Sequence, residues 1–230
     1  MNILKGKGVL TPIQRNLLVE FSKVRDASFF YLTGGTALAE FYLGHRHSYD
    51  LDFFTCEKDL ITPFARVIEE NLQHQGYMLN VIRRFESFVE FEVNKGGEDA
   101  RLHFAYDSPF RFEEPHLSEF GVKINDYQDI VVDKILTFFG QWEHRDAIDL
   151  FFILRTEPIE NLIKMAKQKD PGFDLYWFSI ALKEVDTFPD EIGQWSVDML
   201  IELNARELKN KFLSLAREIM DKIKGARNDR

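Results

Sequence analysis

Two short segments constrain this chain more than anything else in it: Leu32-Thr-Gly-Gly-Thr-Ala-Leu and, fourteen residues after Thr36, Asp50-Leu-Asp-Phe-Phe. The apolar run from Ser28 to Leu32 has the length and aromatic content of a buried strand, and it ends at Gly34-Gly35. Thr36 to Leu43 then reads as a helix closed by Gly44. Glycines at such a strand–helix turn let backbone N–H groups approach a phosphate, and the helix start adds positive potential. Tyr49 to Phe54 predicts a second strand, which puts Asp50 and Asp52 on one face while Leu51 and Phe53 point into the core. Two carboxylates separated by one apolar residue suit a divalent ion, typically Mg²⁺, that also takes oxygens from a substrate phosphate. Taken singly, a glycine pair is an ordinary turn and Asp-x-Asp an ordinary solvated strand face.

Composition narrows the setting. The 230 residues are 45% hydrophobic and 29% charged, a globular balance that excludes a disordered chain. The 22 phenylalanines require a packed core or a docking surface. The net charge of −9 argues against an extended nucleic-acid surface, although a local basic patch remains compatible with it. A single cysteine, Cys56, excludes an internal disulfide and a multi-cysteine metal site. No run of 18 apolar residues is present and the first residues lack the apolar core of a signal peptide, so a cytoplasmic protein with no membrane partner is expected.

Further along, Thr11-Pro12 reads as a helix start, with Leu17, Leu18, Phe21 and Val24 at helical spacing. A helix is predicted from Leu60 to His74, closed by Gly76. From Tyr77 to Tyr106 the pattern alternates: Val89, Phe91 and Val93 against Glu90 and Glu92, then Leu102, Phe104 and Tyr106 against Arg101, His103 and Asp107. Helical periodicity takes over in blocks near 126–140, 145–156, 158–168, 174–183 and 197–224. The expected architecture is α/β (α+β), a mixed sheet with flanking helices over residues 1–122 followed by a helical domain over 123–230.

A strand–Gly-Gly–helix unit followed by Asp-x-Asp on the next strand resembles the nucleotidyltransferase superfamily, and the likeness is closer than that. Leu-Thr-Gly-Gly-Thr-Ala-Leu with Arg46-His-Ser-Tyr-Asp-Leu-Asp-Phe-Phe-Thr, then Asp129-Ile-Val-Val-Asp-Lys-Ile-Leu and His144-Arg-Asp-Ala-Ile-Asp-Leu, resembles the AbiEii/AbiGii nucleotidyltransferase toxin family. The resemblance covers roughly residues 30–155. It implies a toxin often paired with an antitoxin, transferring a nucleoside monophosphate from an NTP to RNA, notably tRNA ends, or to a protein hydroxyl. It implies that Gly34, Gly35 and Thr36 hold the triphosphate, that Asp50 and Asp52 hold metal, that Lys134 faces the phosphates, and that Arg145, Asp146 and Asp149 close the site. Without the family, Lys134 reads as a lysine laid along an apolar helix face, and Asp146 and Asp149 as acids favoured near a helix start.

One position departs from the pattern. Two-metal transfer needs a third carboxylate from a neighbouring strand, and His103 stands where the resemblance to the family places it, within Ala100 to Asp107. Histidine suits Mg²⁺ poorly, although it can accept a proton or favour Mn²⁺; the alternative is a polar-face histidine with no catalytic task. Asp107, Glu90 and Glu92 are substitute candidates, the last two if their strand lies beside Asp50 and Asp52. Arg46 and Ser48 are expected to contact phosphate oxygens, whereas His45 and His47 lack a third partner for a metal. These departures leave a second reading, a nucleotide- or antitoxin-binding module of the same fold with impaired turnover.

Overall fold

The computed structural model describes residues 3–228, which fall into two compact units, Met1–Ile130 and Val131–Arg230. The division lies inside helix α4 (Tyr127–Gly140). No helix among the described residues is long and apolar enough to cross a membrane.

The first unit opens with α1 (Pro12–Ser22), which starts where the sequence predicts. The Thr11 hydroxyl accepts from the Gln14 N–H, the Gln14 side chain accepts from the Thr11 N–H, and Pro12 fills the first turn where no donor is needed. The predicted strand from Ser28 begins later: Ala27–Phe29 forms a 3₁₀ turn and β1 spans only Tyr31–Thr33. Asp26, at φ +68, turns the chain there, so Phe29 stays exposed while Phe30 enters the core. α2 starts at Gly34 and its last turns, Leu38–Leu43, widen to π geometry before Gly44 closes them at φ +66.

β2 (Asp50–Thr55), α3 (Ile61–His74), β3 (Met78–Phe85), β4 (Phe88–Lys95) and β5 (Glu98–Tyr106) follow, then the short β6 (His116–Leu117) and β7 (Lys123–Ile124). They form one mixed sheet in the order β3-β4-β5-β2-β1-β7-β6. β2 lies between β1, antiparallel to it, and β5, parallel to it. The alternation predicted for β4 and β5 holds through Phe104 and breaks at the end of β5, where Ala105 is buried and Tyr106 is exposed. Val89, Phe91, Val93, Leu102 and Phe104 are buried, and Phe104 meets Phe53 at 5.8 Å and Phe64 of α3 at 5.6 Å. Phe21 of α1 stacks on Phe53 at 3.9 Å. This aromatic layer fixes which face of the sheet is core, and therefore which face is left for Asp50 and Asp52.

The second unit contains α5 (His144–Ile153), α6 (Ile159–Lys169), α7 (Leu175–Lys183) and α8 (Ala205–Asn228). The last helix starts at Ala205 rather than near 197, because Asn204 caps it by accepting from the N–H groups of Arg206 and Glu207. Its core includes Phe138 against Phe212 at 5.5 Å and Trp195 against Phe188 at 5.4 Å. Buried Lys209 donates to the Phe188 carbonyl and pairs with Asp190 at 2.7 Å.

Candidate active site on the sheet face

The β1–α2 junction brings two glycines into close approach with the side chains of the acidic strand and the loop before it. Gly34 adopts φ +71, and a Cβ there would stand 2.3 Å from Oδ2 of Asp52. A Cβ on Gly35 would stand 2.6 Å from a guanidinium nitrogen of Arg46 and 3.0 Å from the Ser48 hydroxyl. The junction is held on three sides. Thr36 donates its hydroxyl to the Asp50 carbonyl, Asn125 donates to Thr33 Oγ1 at 3.1 Å, and Gln14 donates to the Ser48 carbonyl at 2.8 Å. Gly34, Gly35, Thr36, Arg46, Ser48, Asp50 and Asp52 are therefore brought together around one strand–helix turn. Asn125 is the contributor that sequence reasoning missed: it lies 92 residues from Thr33, and no local pattern marks it.

Strand register extends the site sideways in two rows. Asp52 lies opposite His103 of β5, which lies opposite Glu90 of β4, which lies opposite Arg83 of β3. The parallel row is Asp50, Arg101, Glu92 and Asn80. Glu90 and Glu92 are thus not neighbours of the acidic strand, because β5 stands between. The register shift between Val81 and Arg83 turns Arg83 onto the face of Glu90, where its Nε approaches Oε2 at 3.4 Å.

His103 is bracketed by acids. Its Nδ1 is 2.7 Å from Asp52 Oδ1, and its Nε2 is buried 3.7 Å from Glu90 Oε1 without a hydrogen-bond partner. Burial works against the charged imidazolium, but the hydrogen bond to Asp52 and the charges of Asp52, Asp50 and Glu90 outweigh it and hold the pKa above its ordinary value. Asp107 is no substitute ligand: four residues farther along, about 13 Å at strand rise, it accepts from the Tyr31 hydroxyl. Beside Asp50 an open cavity of about 690 Å³ runs toward the edge strand, with Tyr49, Met78, Asn80, Glu92 and Arg101 in its walls.

Arg111 approaches the Cys56 sulfur at 3.2 Å, from 55 residues away, while its guanidinium lies 4.0 Å from the Tyr31 ring centre. Of the helical candidates, Lys134 is buried in the second unit between Asp149, at 2.7 Å, and Asp146, at 3.3 Å. Burial raises the Asp146 pKa and the Asp149 charge adds to this, against the pull of Lys134. Arg145 is half-exposed and pairs with Glu143 at 2.8 Å.

The donor chemistry bears on a metal. Asp50 and Asp52 offer same-face carboxylates beside a glycine turn that a Cβ would fill, a set that fits one hard ion completed by substrate oxygens. Among the described residues no group of three histidine, cysteine or acidic side chains is arranged to hold a metal by itself.

This geometry agrees with the comparisons to known proteins. Residues 16–192 match the family model described as nucleotidyl transferase AbiEii toxin of a type IV toxin–antitoxin system. Among solved structures, the chain resembles JHP933 from Helicobacter pylori at 19% identity and TM-score 0.53, covering 94% of this chain and 93% of that one. A putative nucleotidyltransferase from H. pylori gives the same identity and TM-score over 93% and 94% of the two chains. The nucleotidyltransferase toxin MenT4 from Mycobacterium tuberculosis gives 19% identity and TM-score 0.51 over 75% of this chain and 63% of that one. At this identity the likenesses establish the fold alone. No curated protein matches the sequence. With the family model spanning most of the chain and its glycine turn and acidic strand assembled at one site, the chain belongs to the AbiEii nucleotidyl transferase toxin family.

Proposed function

We propose that the protein transfers a nucleoside monophosphate from an NTP to an acceptor hydroxyl, with Mg²⁺ held by Asp50 and Asp52. The observation that carries the reading is the fit of Gly34, at φ +71, against Asp52, which sets the glycine turn and a carboxylate side by side where a Cβ would have to displace Asp52 Oδ2. Bound there, Mg²⁺ would neutralise phosphate charge and polarise the phosphorus under attack. The N–H groups of Gly35 and Thr36 orient the triphosphate, and the Arg46 guanidinium and Ser48 hydroxyl lie beside Gly35 to receive its oxygens. The acceptor oxygen forms a new bond to the α-phosphorus, the bond to the pyrophosphate oxygen breaks, and the hydroxyl proton passes to solvent water. The cavity next to Asp50 is the acceptor's approach in this reading. RNA, notably a tRNA end, and a protein hydroxyl both fit as acceptors, and an antitoxin is the expected protein partner. Mn²⁺ is the alternative ion.

The test follows α-labelled NTP into candidate acceptors together with pyrophosphate release. Losing Asp50 or Asp52 to alanine removes several kcal/mol of transition-state stabilisation, so label transfer should fall roughly a hundredfold or more. Transfer by Asp52→Ala at the parental rate would refute the assignment.

His103 favours a second reading, in which the fold binds nucleotide or antitoxin without turnover: the third carboxylate position holds an imidazole already bonded to Asp52. Calorimetric titration with NTP and Mg²⁺ separates the two, since binding with no pyrophosphate release supports the module.

A further inference from the structure

The row Asp52–His103–Glu90–Arg83 has a consequence for how many ions the site accepts. Two-ion phosphoryl transfer needs a carboxylate that bridges both ions and a further carboxylate for the second. Here one oxygen of Asp52 is committed to His103 and the other is confined beside Gly34. Oδ1 lies 2.7 Å from His103 Nδ1, and Oδ2 lies in the niche left by the missing Cβ of Gly34. The further position is His103, a poor ligand for a hard ion, and its ring is pinned. Nε2 is buried 3.7 Å from Glu90 Oε1, the Phe88 ring centre lies 5.7 Å away, and Glu90 is itself anchored by Arg83. Turning the imidazole toward an ion would break the bond to Asp52 and bring Nδ1 no new acceptor.

We infer that this site takes one divalent ion, not two: His103 closes the second ion's place, and Glu90 acts as a positioning residue through the His103 ring. The inference rests on the proposed metal-dependent transfer, but it concerns ion number and is read without turnover. Asp50 and one oxygen of Asp52, with substrate phosphate oxygens, complete the single site. His103 then keeps Asp52 oriented in the way that outer partners orient a metal ligand.

The experiment counts Mn²⁺ retained per full-length chain in equilibrium dialysis, with and without an NTP analogue carrying a non-transferable α,β-methylene bridge. One ion per chain is expected, and two in His103→Asp, which restores the missing carboxylate. Glu90→Gln should keep the count at one and weaken Mn²⁺ binding about tenfold, the scale of losing a ligand's outer partner. Two ions on the parental chain would overturn the inference and leave the proposed transfer standing. No ion on the parental chain would overturn the inference and the Asp50–Asp52 assignment together. An unchanged count of one in a folded His103→Asp, checked by circular dichroism, would also overturn it. If that variant does not fold, the parental count decides alone.

Discussion

The Asp52 carboxylate occupies the space in which a side chain at residue 34 would begin, 2.3 Å from the position of a Cβ on Gly34. The turn and the acidic strand are therefore one mechanical unit: whatever moves the glycine moves the carboxylate.

Gly34→Ala tests that unit. Alanine at φ +71 costs roughly 1–2 kcal/mol of backbone strain, and its methyl must displace Asp52 Oδ2. A misplacement of about 1 Å at a reacting centre can lower turnover about a hundredfold. We expect a modest fall in denaturation midpoint and a much larger fall in nucleotide transfer, measured on the same preparation. A variant with parental transfer would show that the close approach has no functional role.

A second prediction concerns Glu40, buried in α2. Its carboxylate accepts from the N–H groups of Gly8, Val9 and Leu10, at 3.1, 2.5 and 3.0 Å, and so clasps the segment ahead of α1. Glu40→Ala strands two buried donors, at Val9 and Leu10, at about 1–3 kcal/mol each. Urea unfolding should show a loss of roughly 3 kcal/mol. Glu40→Gln should recover only part of it, since an amide offers one acceptor oxygen to three donors.

How much of this was legible follows from the range of each interaction. The helix start at Thr11-Pro12, the β4–β5 alternation as far as Phe104 and the Gly-Gly turn are local, and each is readable in a few residues. The pairing of Asp52 with position 103 was reachable through the family resemblance, which sets a further site residue on that strand; alternation alone left Arg101, His103 and Asp107 on one face. Glu40, Asn125 and Arg111 were not reachable, because their partners lie 30 to 92 residues away and burial, not pattern, gives them their roles. The strand expected at Ser28 failed for a local reason: Asp26 in the left-handed region starts a tight turn that an aromatic run does not announce. The stretch 197–204 is apolar enough to resemble a helix, yet Asn204 delays the start to Ala205.

His103 gives a pH prediction whose sign is fixed by its surroundings. Its folded-state pKa is raised, so the folded chain binds the proton more tightly than the unfolded chain does. The stabilisation is fully present below the ordinary histidine pKa of about 6.5 and is lost as pH rises through the higher folded value. In chelator-treated protein, unfolding free energy measured from pH 6 to 9 should therefore decline, and His103→Asn should lack that part of the decline. Identical profiles for the two proteins would contradict the bracketing of the imidazole by Asp52 and Glu90.

The two acids around Lys134 should behave differently although both touch the same ammonium. Asp149 lies at 2.7 Å with no exposed side-chain surface, whereas Asp146 lies at 3.3 Å and leaves Oδ2 buried without a hydrogen-bond partner. Asp146 has a folded-state pKa raised first by burial, so the stabilisation from its protonated form is complete below the ordinary carboxylate pKa and is lost as pH rises through the higher folded value. Asp146→Asn removes this unfavourable ionisation while keeping the shape, and its stability at neutral pH should stay within about 1 kcal/mol of the parent. Asp149→Asn takes away the nearer counter-charge and leaves a buried lysine poorly compensated, a change worth about 3–5 kcal/mol. Lys134→Met in the Asp149→Asn background should restore much of that loss, because the stranded charge is then gone. Guanidinium unfolding of the three variants checks the order, and equal losses for the two single asparagine variants would show that the lysine is shared evenly.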